Sequence, residues 1–267
     1  MFDLTGQVAV ITGGGGALAT AMGAALVRAG VRIAVLDLRA ESAERQAAAL
    51  MAMGGEAIAM ATDVLDEASL RAARATVLAR WGRIDILLNA AGGNMPRAST
   101  HGKSPFTLPV DALDEVMRLN FNGTVIPTMV FGEHMAEQKK GCIVNISSMS
   151  VSRMLSGIPG YSAAKAAMEN YTKWLAVDVA RRFGEGLRVN AVSPGFFVGA
   201  QNRALLLKED GSPTERGATI LGQTPMGRFG RHDELGGIVV FLCSDAASFI
   251  TGVVIPVDGG FSVASGI

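Results

Sequence analysis

The sequence predicts an α/β fold, a doubly wound three-layer sandwich in which helices cover both faces of a seven-stranded parallel sheet. Short apolar runs, several of them rich in β-branched residues, alternate with longer segments of helical periodicity along the chain. The helical segments are long enough to act as crossovers, and strands joined by helical crossovers pair in parallel. Most of the short runs are apolar at consecutive positions, which indicates strands that are covered on both faces.

The first half of the chain is predicted to hold three strand–helix units and a fourth strand. Four largely aliphatic runs stop at polar residues or glycines, which predicts strands. These runs are residues 8–12, 31–36, 56–61 and 84–89. Apolar residues recur at helical spacing in the segments between them, which predicts the crossover helices. These segments are residues 17–29, 41–53 and 67–80.

The second half continues the pattern with longer helices. Helical periodicity extends over 110–138 and 162–182, and short runs typical of strands occupy 143–146, 187–192 and 253–257. One stretch breaks the rhythm: from Gly195 to Gly230 the chain carries charges, glycines and prolines without clear periodicity. A connection of about 30 residues is usually functional or disordered, so we expect a substrate lid at about 195–230.

Composition and charge exclude several classes of protein. The 267 residues are not divided by any linker, so we expect a single domain over residues 1–267. The 24 basic residues balance the 24 acidic ones without forming blocks, so neither nucleic acid nor a membrane is an expected partner. The N-terminus lacks a signal-peptide pattern, and no apolar stretch reaches the ~18 residues of a membrane span. Cys142 and Cys243 lie in apolar runs as core thiols, and a cytoplasmic protein is expected.

Glycines crowd the turn after the first strand, Thr12-Gly13-Gly14-Gly15-Gly16-Ala17-Leu18-Ala19. Glycine lets the backbone approach a pyrophosphate, which then rests on the amino end of the next helix, as in a Rossmann dinucleotide site. Asp37 follows the second strand, where a carboxylate can accept hydrogen bonds from the adenosine ribose. Arg39 could face a 2′-phosphate, but Asp37 would repel that phosphate, so the sequence favours NAD over NADP.

Tyr161 and Lys165 stand four residues apart in a predicted helix, so their side chains lie on one face and can meet. A free tyrosine has a pKa of about 10, which is too high for it to accept a proton readily at neutral pH. A nearby ammonium and the positive charge of a bound nicotinamide favour the phenolate, so we expect Lys165 and the nicotinamide together to lower the pKa of Tyr161. Tyr161 would then serve as the base for an alcohol or the acid for a carbonyl.

Further motifs follow in a fixed order, and together they resemble the short-chain dehydrogenase/reductase family from about Leu4 to Phe261. The family usually has glycine at the positions of Ala17 and Ala19, and the methyl group of Ala17 narrows the space beside the pyrophosphate. After the glycine turn, the motifs that carry the resemblance are Asp63-Val64, Asn89-Ala90-Ala91-Gly92, Leu119-Asn120-Phe121-Asn122-Gly123, Asn145-Ile146-Ser147-Ser148, Tyr161-Ser162-Ala163-Ala164-Lys165 and Ser193-Pro194-Gly195.

The resemblance implies a catalytic tetrad of Asn120, Ser148, Tyr161 and Lys165. Tyr161 would exchange a proton with the substrate while hydride moves to or from the nicotinamide, and Ser148 would polarise the substrate oxygen. Lys165 would also hold the nicotinamide ribose, and Asn120 would support a water that links Lys165 to solvent. The family also suggests a homotetramer packed through the helices around Asn120 and Tyr161 and through the last strand. The implied cofactor residues are Gly13, Gly15, Gly16, Ala17, Leu18, Asp37, Asp63, Val64, Asn89, Ala90, Ala91, Tyr161, Lys165, Pro194 and Gly195.

Polar residues in three segments, 92–105, 149–160 and the stretch after Gly195, predict a polar and partly cationic substrate pocket. An arginine with amide neighbours suits a small hydroxylated carboxylate such as a sugar acid. The motifs around these segments resemble the D-mannonate oxidoreductase, or fructuronate reductase, branch of the family. The three histidines show no ligand spacing, so no metal is expected. The candidate substrate residues are Asn94, Ser148, Arg153, Tyr161, Asn202 and Arg203, with Arg97, His101 and Gln201 in the same segments.

Two alternatives stay open at this point. An NADP-dependent carbonyl or acyl-thioester reductase of the same fold would use the same tetrad, and Arg39 permits it. A nucleotide-sensing protein that retained the fold but lost the reaction would be expected to lack part of the tetrad. The complete tetrad favours an enzyme.

Overall fold

The computed structural model describes residues 2–200 and 202–265. Its seven strands form one parallel sheet in the order β3-β2-β1-β4-β5-β6-β7, which confirms the predicted doubly wound α/β fold. The order reverses beside β1, so the crevice between the loops after β1 and β4 is the expected ligand position. The strands are β1 (Val8–Thr12), β2 (Arg32–Asp37), β3 (Ala57–Ala61), β4 (Ile86–Asn89), β5 (Gly141–Ile146), β6 (Leu187–Pro194) and β7 (Val254–Val257).

Helices pack on both faces of the sheet and enclose two apolar cores. One core joins the sheet to α1, α2 and α9 and includes Met22, Leu50 and Leu235; the other joins it to α3, α5 and α6 and includes Leu70 and Phe131. The helices in the described chain are α1 (Ala17–Arg28), α2 (Ala40–Ala52), α3 (Glu67–Trp81), α4 (Val110–Met117), α5 (Gly123–Gln138), α6 (Pro159–Phe183), α7 (Arg203–Leu206), α8 (Glu215–Gln223) and α9 (Glu234–Cys243).

The long helix predicted over 110–138 is not continuous. A π-helical turn, Arg118–Asn122, separates α4 from α5. Pro127 lies inside α5, and because proline has no N–H it cannot bond to the carbonyl of Gly123 four residues earlier. The π-helical turn ends immediately before Gly123, whose carbonyl lacks this hydrogen bond, and it contains Asn120. Proline in an otherwise helical pattern was the sequence signal for this break.

The segment after β6 contains regular secondary structure. It carries α7 and α8, and a bridge between Phe197 and Gly230 closes it at its base. A third small core forms here, in which Leu206 and Ile220 pack against Met149 and Phe261. The stretch from Gly195 to Gly230 is therefore folded onto the loop that follows β5 and onto the C-terminal segment.

Both cysteines, Cys142 and Cys243, are buried free thiols, as the sequence predicted. Within residues 2–200 and 202–265, no helix combines the length and the apolar character that a membrane crossing requires. In the same residues no three potential metal ligands cluster together.

Candidate active site

The motif residues gather at one edge of the sheet because parallel strands all end on the same side. Thr12, Asp37 and Asn89 are the last residues of β1, β2 and β4, and Ser148 and Gly195 closely follow β5 and β6. This edge also borders the reversal in strand order, where open α/β sheets bind their ligands.

The glycine turn is held so tightly that side chains would not fit. Gly13 has φ +59°, and a Cβ there would lie 2.7 Å from Cα of Ala91; a Cβ at Gly15 would lie 2.6 Å from Cβ of Ser42. Gly16 caps α1, and no side chain caps the free N–H groups of the first turn. The exposed Ala17 begins that turn. An uncapped helix end at a glycine turn is a site that accepts the phosphates of a dinucleotide.

Asp37 closes the turn from the neighbouring strand. Its Oδ2 accepts a hydrogen bond from Gly15 N at 3.1 Å, and its Oδ1 accepts one from Arg39 N at 3.1 Å. The Arg39 side chain is 76% exposed, with Nε 3.9 Å from Oδ1 of Asp37. The carboxylate is therefore fixed at the end of β2, with lone pairs left for the hydroxyls of an adenosine ribose.

The loop after β4 meets the glycine turn through Thr12, which we had not selected from the sequence. Its Oγ1 accepts hydrogen bonds from Ala90 N at 3.2 Å and from Ala91 N at 3.3 Å. Asn89 does not face the crevice with its side chain: Nδ2 donates to Thr128 and Asn145 inside the sheet–helix layer. Asn89 could therefore contact a cofactor only through its main chain.

The remaining predicted cofactor residues differ in exposure and in the contacts that they make. Asp63 is exposed after β3 and accepts a hydrogen bond from Leu65 N at 2.9 Å. Val64 is buried, and a Cβ at Gly123 would lie 3.1 Å from its Cγ2. Pro194 ends β6, and Gly195 N donates to Val257 O at 2.9 Å; Leu18 is half-buried in the first turn of α1.

Tyr161 and Lys165 lie in the first two turns of α6, facing the end of β5. Ser148 lies close enough to the Tyr161 hydroxyl to favour its ionised form. Lys165 is buried; its Nζ donates to Ile146 O at 2.7 Å and lies 5.7 Å from the centroid of the Tyr161 ring. Burial lowers the pKa of Lys165 from 10.5 to about 8, since no carboxylate offsets the desolvation of its ammonium.

In the chain without a nicotinamide, the pKa of Tyr161 is raised rather than lowered. Burial raises the pKa of the Tyr161 hydroxyl above its usual value, and the hydrogen bond with Ser148 opposes that shift. The ammonium donates to a main-chain carbonyl and lies 5.7 Å from the centroid of the Tyr161 ring, and it is not among the groups that shift the pKa of Tyr161. Ser148 is therefore the group that favours ionisation of Tyr161 in this geometry.

Asn120 is fully buried in the π-helical turn. Its Oδ1 accepts from Gly93 N at 3.0 Å, and its Nδ2 donates to Gly93 O at 2.8 Å and Val116 O at 2.9 Å. A Cβ at Gly92 would lie 2.6 Å from Oδ1 of Asn120 and 3.3 Å from Nζ of Lys165. Glycine at position 92 thus lets the chain pass between Asn120 and Lys165, and Asn120 fixes the loop after β4 beside the tetrad.

The predicted substrate residues are only partly available to a ligand. Asn94 is exposed near the site, and Arg203 is exposed on α7. Asn202 is occupied by the chain, since it accepts from Gly199 N at 2.7 Å and donates to Phe197 O at 2.9 Å. It shapes the start of the segment after β6 instead of pointing an amide at substrate. Gln201 lies outside the described residues.

Arg153, also predicted to contact substrate, is bound to the C-terminal segment. Its guanidinium donates to the carbonyl of Ala264 and lies 5.7 Å from the centroid of Phe261. Arg153, which was predicted to bind the substrate carboxylate, therefore stabilises the position of the C-terminal segment. Arg97, in the same walls, forms an exposed ion-pair network with Asp111 and Glu115.

Other residues that sequence reasoning missed come from the C-terminal end. Phe261 packs edge-on against Phe196 with centroids 5.3 Å apart, so the C-terminal segment covers the start of the stretch after β6. A cavity of about 230 Å³ lies beneath that stretch, and no tetrad residue lines it. Ser150 has a buried hydroxyl with no partner among the described residues, two positions from Ser148. None of these has a local sequence signal.

Comparison with known proteins agrees with the geometry. A family model described as "Enoyl-(Acyl carrier protein) reductase" matches residues 15–262. "Uncharacterized oxidoreductase UxuB" of Bacillus subtilis (strain 168) is 41% identical over 99% of this chain and 98% of its own. D-threitol dehydrogenase of Mycolicibacterium smegmatis is 35% identical over 98% of this chain and 95% of its own.

A solved structure is also similar over its full length. The "putative D-Mannonate oxidoreductase" from Haemophilus influenza, with bound NAD, matches with a TM-score of 0.92 and 39% identity, covering 99% of this chain and 98% of the other. Together these likenesses identify an NAD(P)-dependent oxidoreductase that acts on alcohol groups. The chain belongs to the short-chain dehydrogenase/reductase family.

Proposed function

We propose that this enzyme uses NAD to interconvert the secondary alcohol and ketone of a small sugar acid, such as D-mannonate and D-fructuronate. The observation that carries the proposal is the placement of Tyr161 beside Ser148, with the buried Lys165 on the same helix face. The catalytic residues of this proposal are Asn120, Ser148, Tyr161 and Lys165.

The crevice fits a dinucleotide. The uncapped first turn of α1 and the crowded glycine turn leave N–H groups for the pyrophosphate, and Asp37 is fixed where the adenosine ribose would lie. NAD is preferred because the Asp37 carboxylate would repel a 2′-phosphate, whereas the exposed Arg39 is free to turn away. When bound, the nicotinamide accepts or returns the hydride.

Tyr161 moves the proton. In the oxidation of an alcohol its oxygen takes the hydroxyl proton, and in the reverse direction it donates that proton to the carbonyl oxygen. Without substrate, Ser148 lowers the pKa of Tyr161. With substrate bound, its single hydroxyl proton is donated to the same substrate oxygen. Both residues therefore act on the same substrate oxygen, which requires both side chains to lie within hydrogen-bonding distance of that atom.

Lys165 and Asn120 support that pair. A lysine whose pKa is about 8 can gain and lose a proton near neutral pH, so Lys165 is suited to pass a proton towards solvent. Asn120 holds the main chain of Gly93 on the opposite side of Gly92. We assign Lys165 to the nicotinamide ribose as well, in line with the family resemblance.

The substrate assignment rests on the relatives and on the remaining polar groups. The Haemophilus protein is described as acting on D-mannonate and the Mycolicibacterium relative as acting on D-threitol; both names describe small polyhydroxylated molecules. Arg203 and Asn94 have exposed side chains, and we assign them to the carboxylate and the hydroxyls of the substrate. We propose that residues 195–230 act as a lid, with Asn202 fixing the turn at its base.

We further propose a cytoplasmic homotetramer. Exposed apolar residues on α5 and α6, including Met129, Trp174 and Val177, and the fully exposed Phe249 before β7 are surfaces that partner subunits would cover.

A substrate panel tests the proposal. Purified enzyme with NAD or NADP is assayed for cofactor reduction against D-mannonate, other aldonates, polyols and apolar alcohols. Turnover of D-mannonate with NAD, and little with NADP, is the expected result. Turnover of apolar alcohols alone would overturn the sugar-acid assignment, and a preference for NADP would overturn the role given to Asp37.

A further inference from the structure

Three side-chain hydrogen bonds tie helix α6 to the end of β5. Nζ of Lys165 donates to Ile146 O at 2.7 Å. Oγ of Ser147 donates to Oε1 of Glu169 at 2.6 Å, and Nδ2 of Asn145 donates to Oγ1 of Thr172 at 2.8 Å. Positions 165, 169 and 172 share one helix face, and they meet the last two residues of β5 and Ser147, which directly precede Ser148.

The contact between Asn145 and Thr172 is entirely buried and its direction is fixed. The Thr172 hydroxyl donates onward to Met168 O at 2.9 Å, so it can only accept from Asn145. Oδ1 of Asn145 in turn accepts from Nδ2 of Asn89, which also donates to Oγ1 of Thr128 on α5. Oδ1 of Asn89 is buried without a partner among the described residues, but the other bonds of this chain are made, and each of them would cost about 1–3 kcal/mol to leave unmade.

The contact between Ser147 and Glu169 gives two neighbouring serines different partners. Ser147 is buried and gives its only proton to Glu169, whereas Ser148 bonds to Tyr161. Ser147 is therefore committed to the helix, and Ser148 alone is left for the substrate oxygen.

We infer that Glu169 and Thr172 are positioning residues, which fix α6 along β5 so that the Tyr161 hydroxyl meets Ser148. The inference rests on the proposed function, because it concerns the proton transfer assigned to Tyr161. Tyr161 and Ser148 belong to different elements. These two bonds join those elements at positions just before Ser148 and on the two to three turns of α6 that follow Tyr161. A misplacement of about 1 Å at a reacting group can lower a rate about 100-fold.

Paired threonine variants test the inference. Thr172→Val removes the hydroxyl that accepts from Asn145, and Thr172→Ser restores it. Thr128→Val is the matched control: its hydroxyl also accepts from an asparagine of the same buried chain, but it lies on α5 and does not hold α6. Turnover is measured with NAD and the alcohol that the unsubstituted enzyme oxidises best in the panel, beside a Tyr161→Phe variant.

Both valine variants are expected to lower the stability to a similar degree, because each leaves a buried asparagine N–H unpaired. Only Thr172→Val is expected to lower kcat, by about 10- to 100-fold, with the KM for NAD unchanged and with recovery in Thr172→Ser. The rate of alcohol oxidation is expected to rise with pH as Tyr161 ionises. Loss of the Ser148 contact raises the pKa of Tyr161, so this rise is expected at higher pH in Thr172→Val.

A Thr172→Val enzyme with the kcat and pH profile of the Thr128→Val control would overturn the inference. If Thr172→Val does not fold, Ser147→Ala takes its place, and a normal kcat in that variant would overturn the role of Glu169. Activity retained in Tyr161→Phe would refute the proposed function itself, whereas an inactive Tyr161→Phe beside normal Thr172→Val and Ser147→Ala refutes only the positioning role.

Discussion

The buried ammonium of Lys165 makes the stability of the enzyme depend on pH in a predictable direction. Burial lowers the pKa of Lys165 from 10.5 to about 8 in the folded chain. Between these values the unfolded chain keeps a proton that the folded chain has released, so the free energy of unfolding rises with pH. Below pH 8 both states hold the proton, and the folded state carries the full penalty of a buried charge.

The size of the effect follows from the same shift. A difference of about 2.5 pKa units corresponds to about 3 kcal/mol, at 1.36 kcal/mol per unit. The Lys165→Met variant keeps the length and packing of the side chain and removes the titrating group. We therefore expect the unfolding free energy of the unsubstituted enzyme to rise by about 3 kcal/mol relative to Lys165→Met between pH 8 and pH 10.5.

Urea unfolding of both proteins at a series of pH values, followed by circular dichroism, measures this difference. The comparison is necessary because other buried groups titrate nearby: burial raises the pKa of Tyr161, and a hydrogen bond with Cys142 raises that of Cys243. Both shifts lower stability at high pH, and both are shared by the two proteins. Parallel stability curves would refute the statement that Lys165 is desolvated in the folded chain.

Three further substitutions test separate parts of the site. Asp37→Ala should lower kcat/KM for NAD about tenfold or more and raise kcat/KM for NADP, because the carboxylate that repels a 2′-phosphate is removed. An unchanged preference for NAD over NADP in kinetics with both cofactors would contradict this. Asn202→Ala should raise the KM for the alcohol while the dissociation constant of NAD, measured by fluorescence, stays the same; a rise in that constant alone would argue against a substrate lid. Arg153→Met should leave the KM for D-mannonate nearly unchanged and speed proteolysis near Phe261, because the guanidinium holds the C-terminal segment; a large rise in KM with no change in proteolysis would return Arg153 to the substrate site.

The sheet and its functional edge were predictable because their signals are local. A buried parallel strand is a short apolar run, and a glycine turn or a tyrosine four residues before a lysine can be recognised within a few positions. The strand ends then gather Thr12, Asp37, Asn89 and Ser148 without further information, since all parallel strands end on one side.

The parts that could not be predicted depend on partners far along the chain. Arg153 was assigned to substrate because an arginine near the site suits a carboxylate, but its partner is a main-chain carbonyl 111 positions away. Asn202 was assigned for its amide, which instead closes a local turn. The direction of the Tyr161 pKa shift also required the structure, because helical spacing places Lys165 on the correct face without showing that a carbonyl binds its ammonium.

The central claim is that Tyr161 transfers the proton. Its most direct test is NAD reduction by D-mannonate in the unsubstituted enzyme and in Tyr161→Phe, with NAD binding measured for both. The account predicts that Tyr161→Phe binds NAD normally and loses turnover by about 100-fold or more, since general acid–base catalysis contributes 10²–10⁴. A Tyr161→Phe enzyme that binds NAD and still oxidises D-mannonate at the unsubstituted rate would contradict it.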